Sequence, residues 1–406
     1  MSDTLVRGWC PGALRPMRSG DGLILRLRIT GGRLAPDAAR AVADLAARHG
    51  NGEIDLGRRG GLQLRGIRDD HLSAAITGLA ELGLLDADAG AEAVRNVVAS
   101  PLSDRDEMAE GDAFALAKQL ETALVADDFF HALPAKFGFS IDDGGHFALA
   151  DVPADVRLRF AGGDVTLSLD GNVQAVKVPG GMAVAAALRI AQVFLDLARC
   201  IDPPPRRMAA LVAQIGAEAI FAAAGLAPAG LLPARRHLAV PLIGAFPTHV
   251  GVGLPFGRLT AGQLHLLADL ATVDIRLTPF RAILLAGAPA NVLPRVAEAG
   301  LVALSDDPLL AVAACPGAPA CASASVETRD LARRLAALNS EARGVWLHVS
   351  GCEKGCASSA SHAVTLVGRD GGLDLVLDGR PTDPARLSGL SPAAVEALLR
   401  SGMIDR

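Results

Sequence analysis

The sequence predicts an α+β protein that is built twice from the same pair of units and has an internal pseudo-twofold axis. Residues 31–46 (GGRLAPDAARAVADLA) align without gaps to residues 256–271 (FGRLTAGQLHLLADLA). Residues 53–66 (EIDLGRRGGLQLRG) align in the same way to residues 274–287 (DIRLTPFRAILLAG). A second repeat pairs VVASP, which precedes Leu102, with VAACP, which precedes Gly317. Two repeat types in the order A-B-A′-B′ indicate an ancient duplication.

Each A unit is predicted to fold as strand, helix, strand, strand. The segment GLILRLRIT alternates apolar and polar residues, which is typical of a strand with one buried face. Residues 37–48 have apolar residues at helical spacing, between Pro36 at a first-turn position and Gly50 as a stop. The segment LQLR alternates again and places Gln63 and Arg65 on its polar face. We expect two such units to join into one mixed sheet with helices on one side.

Each B unit is predicted to be a larger α/β lobe. The first contains a helix over 111–125, strands at KFGFSID and DVTLSLD, and a helix over 182–200. The second contains a helix over 327–338 and strands at GVWLHVS, AVTLVG and LDLVLD. The predicted order is an N-terminal segment (1–17), the first half-domain (18–87), the first lobe (88–229), the second half-domain (230–303) and the second lobe (304–406).

Composition and charge exclude several classes of protein. Half of the 406 residues are apolar and 20% are charged, which is typical of a globular protein of several domains. The net charge of −5 gives no support for binding nucleic acid through bulk electrostatics. The first residues lack the apolar core of a secretory signal, and the apolar run from Met208 contains Gln214 and Glu218, so we expect a buried helix there. These features predict a cytoplasmic protein that binds no membrane.

Four of the six cysteines lie in two short loops, spaced C-x5-C and then C-x3-C: Cys315, Cys321, Cys352 and Cys356. Disulfides are unusual in the cytoplasm, and a zinc ribbon would use C-x2-C knuckles. Both loops contain glycine, and the first also contains proline, as expected where the backbone curls around an iron–sulfur cubane. The pattern therefore favours a 4Fe–4S cluster, with zinc and ordinary buried thiols as the alternatives. Cys200 is expected to be a packed thiol, and the role of Cys10 is left open.

The cysteine spacing within an A-B-A′-B′ chain resembles the nitrite and sulfite reductase family. In that family each A unit is a ferredoxin-like half-domain, the four cysteines hold a 4Fe–4S cluster, and the last one bridges to sirohaem iron. Three further motifs of this chain are similar to the family's: RRGGLQLRG, VRNVVASP and LPAKFGF. The resemblance implies tetrapyrrole-binding residues at Arg59, Gln63, Arg95, Asn96 and Lys136.

A ring of cations suits the carboxylates on the rim of a modified tetrapyrrole, because guanidinium and ammonium groups bind carboxylates. Arg65 lies on the same strand face as Gln63 and joins the predicted site without a motif of its own. His348 and His362 flank the second cysteine loop and are expected to pack or to form hydrogen bonds. A further iron or sirohaem is a second expected cofactor, without assigned ligands.

Three departures distinguish the chain from the reductases of the family. Gly138 stands where reductases usually have a second lysine, DLGRR lacks their threonine, and SGCEKGC lacks their Pro-Asn. The opening segment RGWCPGALRPMRSGDGLILRLR and the loop HVSGCEKGCA instead resemble the precorrin-3B synthases, a subfamily of aerobic cobalamin synthesis.

That resemblance implies oxygen-dependent hydroxylation of precorrin-3A with lactone formation, with precorrin-3A and dioxygen as substrates. Electrons would come through the cluster from a reduced donor, either NADH-linked or ferredoxin-like. A sirohaem-dependent nitrite or sulfite reductase is the alternative, and a non-catalytic electron-transfer or tetrapyrrole-carrier protein is the second alternative.

Overall fold

The computed structural model describes residues 11–228, 230–231, 241–338 and 344–401. The first half-domain contains β1 (Met17–Ser19), β2 (Gly22–Leu27), β3 (Arg33–Leu34), α1 (Pro36–His49), β4 (Glu53–Leu56), β5 (Leu62–Ile67) and α2 (Leu72–Glu81). The first lobe contains α3 (Ala89–Val94), β6 (Val97–Ala99), α4 (Ala113–Ala126), β7 (Phe139–Asp142), β8 (Val156–Ala161), β9 (Asp164–Leu169), β10 (Gln174–Pro179), α5 (Ala183–Ala198), α6 (Met208–Ile215) and α7 (Ala217–Ala223).

The edge strand of the first lobe's sheet is β11 (Gly230–Leu231), which pairs with β10. The second half-domain contains β12 (Gly244–Ala245), β13 (His249–Gly253), β14 (Arg258–Thr260), α8 (Ala261–Leu270), β15 (Ile275–Leu277), β16 (Ala282–Ala286) and α9 (Leu293–Glu298). The second lobe contains β17 (Val312–Ala314), α10 (Arg329–Ala336), β18 (Leu347–Ser350), β19 (His362–Arg369), β20 (Gly372–Gly379), β21 (Leu387–Leu390) and α11 (Pro392–Arg400). These elements confirm the predicted duplicated α+β fold.

The half-domains interlock by exchanging strands. One antiparallel sheet has the order β1-β2-β5-β4-β14, and the other has the order β12-β13-β16-β15-β3. The half-domains are joined, as predicted, but through two five-stranded sheets rather than one. The reason lies in the turns before β3 and β14, where Gly31 (φ 55°) and Phe256 (φ 56°) take the left-handed conformation. This conformation redirects the chain from its own sheet toward the other one.

A single apolar core joins the two half-domain sheets to the helices that pack on them. Leu25, Leu64 and Ile54 from one sheet are fully buried with Val252 and Ile283 from the other. Helices α1 and α8 pack against each other across the pseudo-twofold axis. Because both half-domains contribute to one core, each depends on the other for burial of its apolar face.

The two lobes share one five-stranded topology, to which the first lobe adds β11 beside β10. In the first lobe β6, β7 and β8 are parallel neighbours, followed by antiparallel β9 and β10. In the second lobe β17, β18 and β19 are parallel neighbours, followed by antiparallel β20 and β21. The duplication seen in the sequence therefore includes the lobes.

The apolar run from Met208 forms two short helices, α6 and α7, which Gly216 separates with a φ of 82°. Among the described residues, the stretch Gly180–Ala198 is long and apolar enough to cross a membrane, and half of it is buried inside the protein. It includes α5, whose Ile190 and Phe194 are fully buried in the core of the first lobe. We interpret it as a core helix.

Two expectations about single cysteines have different outcomes. Cys200 is exposed, so the prediction of a packed thiol was wrong. It lies just beyond the end of α5, where the chain turns toward solvent, and its thiol bonds to the carbonyl of Asp196 at 3.5 Å. Cys10 lies outside the described residues.

Candidate functional site

The two cysteine loops meet because they leave neighbouring parallel strands at the same edge of the sheet. Cys315 directly follows β17, and Cys352 follows β18 after one residue, Gly351. The strands are in register, with Ala314 opposite Val349, so their carboxyl ends lie side by side. The topology of the second lobe thus brings together two loops that are about thirty residues apart in sequence.

Close backbone contact keeps the loops together. The N–H of Gly351 donates to Cys315 Sγ at 3.1 Å. A Cβ on Gly351 would lie 2.6 Å from Ala324 Cβ, so the position accepts no side chain without movement of the first loop. The Thr328 hydroxyl donates to the carbonyl oxygen of Cys315 at 2.6 Å. These contacts hold the thiol of Cys315 buried between the loops.

The four cysteines are free thiols within electrostatic range of one another. Partial burial raises the pKa of the Cys356 thiol, and the neighbouring Cys315, Cys352 and Cys321 raise it further. Burial and the thiols of Cys321 and Cys315 raise the pKa of Cys352 in the same direction. Four clustered thiolates repel one another unless a cationic centre lies among them. The donor set therefore fits a metal centre that takes four thiolates.

The four cysteines do not form a compact site for a single metal ion in this structure. In the described part of the chain, no three His, Cys, Asp or Glu side chains are grouped tightly enough to bind one metal ion. A cubane spans more space than one ion, and its four thiolates lie correspondingly farther apart. The residues present therefore fit a 4Fe–4S cluster at Cys315, Cys321, Cys352 and Cys356. We assign no ligands to a further iron.

Side chains from both half-domains hold the cysteine loops from outside. Arg65 Nη2 and Ser19 Oγ donate to the carbonyl oxygen of Ala320, next to Cys321, at 3.0 and 2.7 Å. Arg281 Nη2 donates to the carbonyl oxygen of Ala357, next to Cys356, at 3.0 Å. The loops are thus supported by groups that lie far from them in sequence.

A buried carboxylate lies at the centre of the contact between the first half-domain and the second lobe. Asp55 on β4 accepts hydrogen bonds from Arg258 (2.7 Å), Arg329 (3.2 Å) and Arg65 (3.3 Å). Burial by itself would raise the pKa of Asp55, but Arg329, Arg258 and Arg65 outweigh it and lower the pKa to about 2. Asp55 is therefore ionised at neutral pH and joins three structural segments through one side chain.

Three of the predicted tetrapyrrole-binding residues lie together. Arg59 is half-buried, and its guanidinium donates to Asn96 Oδ1 at 3.1 Å and to the carbonyl oxygen of Lys136 at 2.7 Å. Asn96 also accepts a hydrogen bond from Arg28 and donates to the carbonyl oxygen of Phe137 at 3.0 Å. The side chain of Lys136 is exposed to solvent. The structure therefore groups motifs from the first half-domain and the first lobe.

The other three predicted residues have mainly structural partners. Arg95 is bonded to Asp86 (2.7 Å) and Glu121 (3.3 Å) and has 14% of its side chain exposed. Arg65 is 3% exposed and is bonded to Asp21 at 2.8 Å as well as to Asp55. Gln63 lies half-buried on β5. A role for these residues in binding a ligand stays a prediction.

Gly138 lies where a side chain would enter the group around Arg59. A Cβ on Gly138 would be 3.1 Å from the carbonyl oxygen of Asn96 and 3.7 Å from Arg59 Nη2. The N–H of Gly138 donates to Asp155 Oδ2 at 2.9 Å, which fixes the backbone at this point. A side chain here would require the backbone of Asn96 to shift slightly, and this chain carries no second cation at the position.

The two histidines beside the second cysteine loop differ in their partners. His362 bonds to the carbonyl oxygen of Val345 at 2.9 Å and to Ser358 Oγ at 2.7 Å. His348 on β18 is fully buried, its ring lies edge-to-face with that of His362 at 5.5 Å, and both its ring nitrogens are without a hydrogen-bond partner among the described residues. Burial, His362 and Arg281 lower the pKa of His348 to about 4, so it is neutral at pH 7.

Several residues of the site carry no motif in the sequence, and three of them are Asp55, Arg258 and Arg281. The internal repeat held one signal that could have found Arg281, since it aligns with Gly60 of the first half-domain. A charged residue aligned with a glycine indicates a function that only one copy has. Asp55 aligns with Arg276 and Arg258 with Arg33, so the repeat marks both positions as charged. It does not pair them with each other, because ionic partners about two hundred residues apart leave no spacing pattern.

Comparison with known proteins places this arrangement in context. The family model "Nitrite/Sulfite reductase ferredoxin-like half domain" matches residues 15–82 and 247–301. A precorrin-3B synthase from a Sinorhizobium species is 33% identical over 93% of this chain and 84% of its own length. A ferredoxin–nitrite reductase from Synechococcus elongatus is 28% identical over 97% of this chain and 87% of its own length. The structure of the NirA protein of Mycobacterium tuberculosis superposes with a TM-score of 0.75 at 20% identity, over 94% of this chain and 79% of that one.

Proposed function

The chain belongs to the nitrite and sulfite reductase family, and from this premise we propose that it is an oxidoreductase of the precorrin-3B synthase type. The proposed reaction is the oxygen-dependent hydroxylation of precorrin-3A with lactone formation in aerobic cobalamin synthesis. One atom of dioxygen enters the tetrapyrrole and the other leaves as water, with two electrons and two protons from a reduced donor. The similarity to the Sinorhizobium precorrin-3B synthase, over most of both chains, supports this assignment.

The cluster has a defined place in this proposal. Cys315, Cys321, Cys352 and Cys356 would hold a 4Fe–4S cluster, which supplies one-electron transfer when bound. The protein's own residues keep the two loops at a fixed separation through the N–H of Gly351 and the side chains of Arg65 and Arg281. Cys356 is the most exposed of the four thiols, so it lies nearest to the surface of the site.

The tetrapyrrole would bind with its acidic rim toward Arg59 and Lys136. The Arg59 guanidinium is positioned by Asn96 and by the backbone of Lys136, so its orientation is set before a ligand arrives. An exposed ammonium such as that of Lys136 can follow a flexible acetate or propionate chain. The two side chains would orient the macrocycle by binding its carboxylates.

The observation that carries the choice of substrate is Gly138. Small oxyanions such as nitrite and sulfite are favoured by converging cations, and a lysine at this position would supply one. This chain has glycine there, and a Cβ at that position would lie 3.1 Å from the carbonyl oxygen of Asn96, so a lysine would also require that backbone to yield slightly. A site with fewer converging cations favours a large polycarboxylate, bound through its carboxylates, over a small oxyanion.

The spectrum of the protein tests this proposal. We expect anaerobically purified protein to contain about four irons and four acid-labile sulfides per chain, with broad visible absorption and no sirohaem bands. Supplied with precorrin-3A, dioxygen and a reduced donor, it should form a hydroxylated lactone. The Cys356→Ser variant, as the matched control, should lose both the cluster absorption and the activity. A Cys356→Ser protein that is fully active without a cluster would rule out the electron-transfer role.

The alternative is a sirohaem-dependent nitrite or sulfite reductase. The similarity to the Synechococcus ferredoxin–nitrite reductase over 97% of this chain favours it. The same spectrum separates the two functions, because strong sirohaem bands in the purified protein would mean that the pocket already holds a cofactor. Reduction of nitrite or sulfite with a ferredoxin-type donor would then replace the precorrin assignment.

A further inference from the structure

We propose that Arg281 is a positioning residue that ties the two cysteine loops to each other from the second half-domain. Its Nη1 donates to the carbonyl oxygen of Val312 at 3.2 Å, on the strand that leads to Cys315. Its Nη2 donates to the carbonyl oxygen of Ala357 at 3.0 Å, directly after Cys356. One guanidinium therefore bonds both segments that carry the cysteines. The inference rests on the proposed function, which assigns a cluster to these loops.

The first half-domain has a position equivalent to Arg281 that contacts no cysteine loop. The internal repeat aligns Arg281 with Gly60, and both residues take the left-handed conformation, with φ of 56° and 67°. The turns around them are closed in the same way: Gly57 N–H donates to the carbonyl oxygen of Gly61 at 2.8 Å, and Thr278 N–H donates to that of Ala282 at 3.3 Å. The backbone of Arg281 is therefore one that favours glycine.

The loops of the two lobes differ as well, in whether they carry cysteines. The first lobe has Ser100 where the second lobe has Cys315, and the first lobe's loops lack the four cysteines. Glycine thus occupies the turn in the half without cysteines, and arginine occupies it in the half with them. A non-glycine residue in a strained backbone conformation costs stability, which indicates that its side chain has a function at that position.

Burial and two neighbouring cations make the positive charge of Arg281 energetically unfavourable, so the charge needs hydrogen bonds to stabilise it. The side chain is largely buried, and burial, Arg58 and Arg329 lower the pKa of Arg281 to about 10. It is still a cation at neutral pH, so a buried positive charge lies near two others. The carbonyl oxygens of Val312 and Ala357 satisfy it. A planar guanidinium can bond to both carbonyls at once, which a lysine ammonium does with poorer geometry.

We call the two hydrogen bonds from the Arg281 guanidinium to the cysteine loops the clamp. The backbone of Arg281, from which the clamp extends, is itself held in place. The carbonyl oxygen of Arg281 accepts a hydrogen bond from Leu254 N–H at 2.8 Å, which joins its turn to the end of β13. Its side chain passes close to Gly257, where an added Cβ would lie 3.5 Å from Arg281 Cγ. Arg281 therefore couples the position of the second half-domain to the distance between the two cysteine loops.

Arg281→Gly tests the clamp. Because Gly60 takes the same turn in the other half, the variant should fold, and the apoprotein should unfold at or above the wild-type temperature. Under anaerobic conditions we expect iron release to a chelator to be faster by at least about tenfold, since two hydrogen bonds to the loops are lost. Arg281→Lys should fall between the two proteins. Arg58→Ala, which removes an exposed charge near Arg281, should release iron at the wild-type rate.

A release rate for Arg281→Gly within twofold of wild type would overturn the clamp. A second readout needs no cluster: maleimide labelling of Cys356 in the apoprotein should be severalfold faster in Arg281→Gly than in wild type. If wild-type protein binds no iron or sulfide, the proposed function fails, and labelling alone decides the clamp. Equal labelling rates in that case would overturn the clamp as well.

Discussion

At the residue scale, the two lobes differ at positions that their backbones share. Asp143 N–H donates to Ser100 Oγ at 3.0 Å in the first lobe, and Gly351 N–H donates to Cys315 Sγ at 3.1 Å in the second. The backbone geometry is therefore the same, while one copy has an oxygen and the other a sulfur. Sulfur is the soft ligand that iron–sulfur clusters require, so the exchange of Ser100 for Cys315 is one of four that let the second lobe alone hold a cluster.

Also at the residue scale, Arg59 and Lys136 would bind the acidic rim of the tetrapyrrole, and they differ in how firmly they are oriented. We expect Lys136→Ala to lower the affinity for a carboxylated tetrapyrrole about threefold, because an exposed charge pair contributes little. Arg59→Ala should lower it by about tenfold, because a charge-assisted hydrogen bond from an oriented guanidinium is stronger. Absorption titration with uroporphyrin as the probe measures both, and iron and sulfide contents should not change.

The control for these variants is Lys177→Ala, which removes an exposed lysine bonded to Asp164 at 2.9 Å on the first lobe. Its affinity for the probe should equal that of wild type. Unchanged affinity in both Lys136→Ala and Arg59→Ala would place the tetrapyrrole pocket elsewhere.

At the scale of elements, the carboxyl ends of parallel strands carry different groups in the two lobes. The end of β18 leads to Gly351 and Cys352, whereas the end of β7 leads to Asp143, which is 1% exposed. Burial raises the pKa of Asp143 to about 6, and Asp142 and Asp106 add to the effect. The strand ends of the first lobe thus carry a group of carboxylates in place of thiols.

Asp143→Asn should stabilise the protein at pH 8 and by about half as much at pH 5. The native state holds a proton on Asp143 up to about pH 6, whereas its ordinary value is 3.8. Wild-type stability therefore falls as the pH rises between these values, and the full penalty, roughly 1–3 kcal/mol, applies above pH 6. Thermal unfolding at both pH values measures the difference between the proteins.

The neighbouring carboxylate is the control for that prediction. Both oxygens of Asp142 accept backbone N–H groups, from Gly144 at 2.9 Å and from Leu149 at 3.1 Å. Asp142→Asn should therefore destabilise the protein at pH 8, because an amide can accept at only one of its two positions. Destabilisation by Asp143→Asn at pH 8 would contradict the assigned cause of its raised pKa.

At the scale of the whole molecule, strand exchange makes the half-domains interdependent. β14 completes the sheet of the first half-domain, and β3 completes the sheet of the second. Ionic contacts across the axis add to this, such as Arg40 with Asp269 at 2.9 Å. The cysteine loops lie against both sheets, so the geometry of the cluster site depends on the assembled pair.

Excision of one half-domain tests this interdependence. Residues 11–87 expressed alone should show no cooperative thermal transition by circular dichroism, because the shared core and the fifth strand are lost. A fusion of 11–87 with 241–303 restores both and should unfold cooperatively. Cooperative unfolding of 11–87 alone would show that the exchange is not needed for folding.

The sequence by itself determined the duplicated α+β fold and the paired cysteine loops. These features follow from local periodicity and spacing, such as the alternation in GLILRLRIT and the C-x3-C of the second loop. It also indicated that Gly138 separates this chain from the reductases. Periodicity and cysteine spacing lie within a few residues of chain, while the duplication and Gly138 emerge when one stretch is aligned with another, so all of them can be found without knowing the fold.

Only the tertiary structure decided which sheet β3 and β14 join and which side chains support the cysteine loops. It also showed that Arg95 is held by Asp86 and Glu121. Arg65 reaches Ala320 across 255 positions of sequence. Such contacts depend on how assembled sheets and lobes pack, and a charged residue has the same local pattern whichever partner it meets. The physical reason is that ionic and hydrogen-bond partners are chosen by proximity in space, whereas strands and helices are chosen by neighbours in sequence.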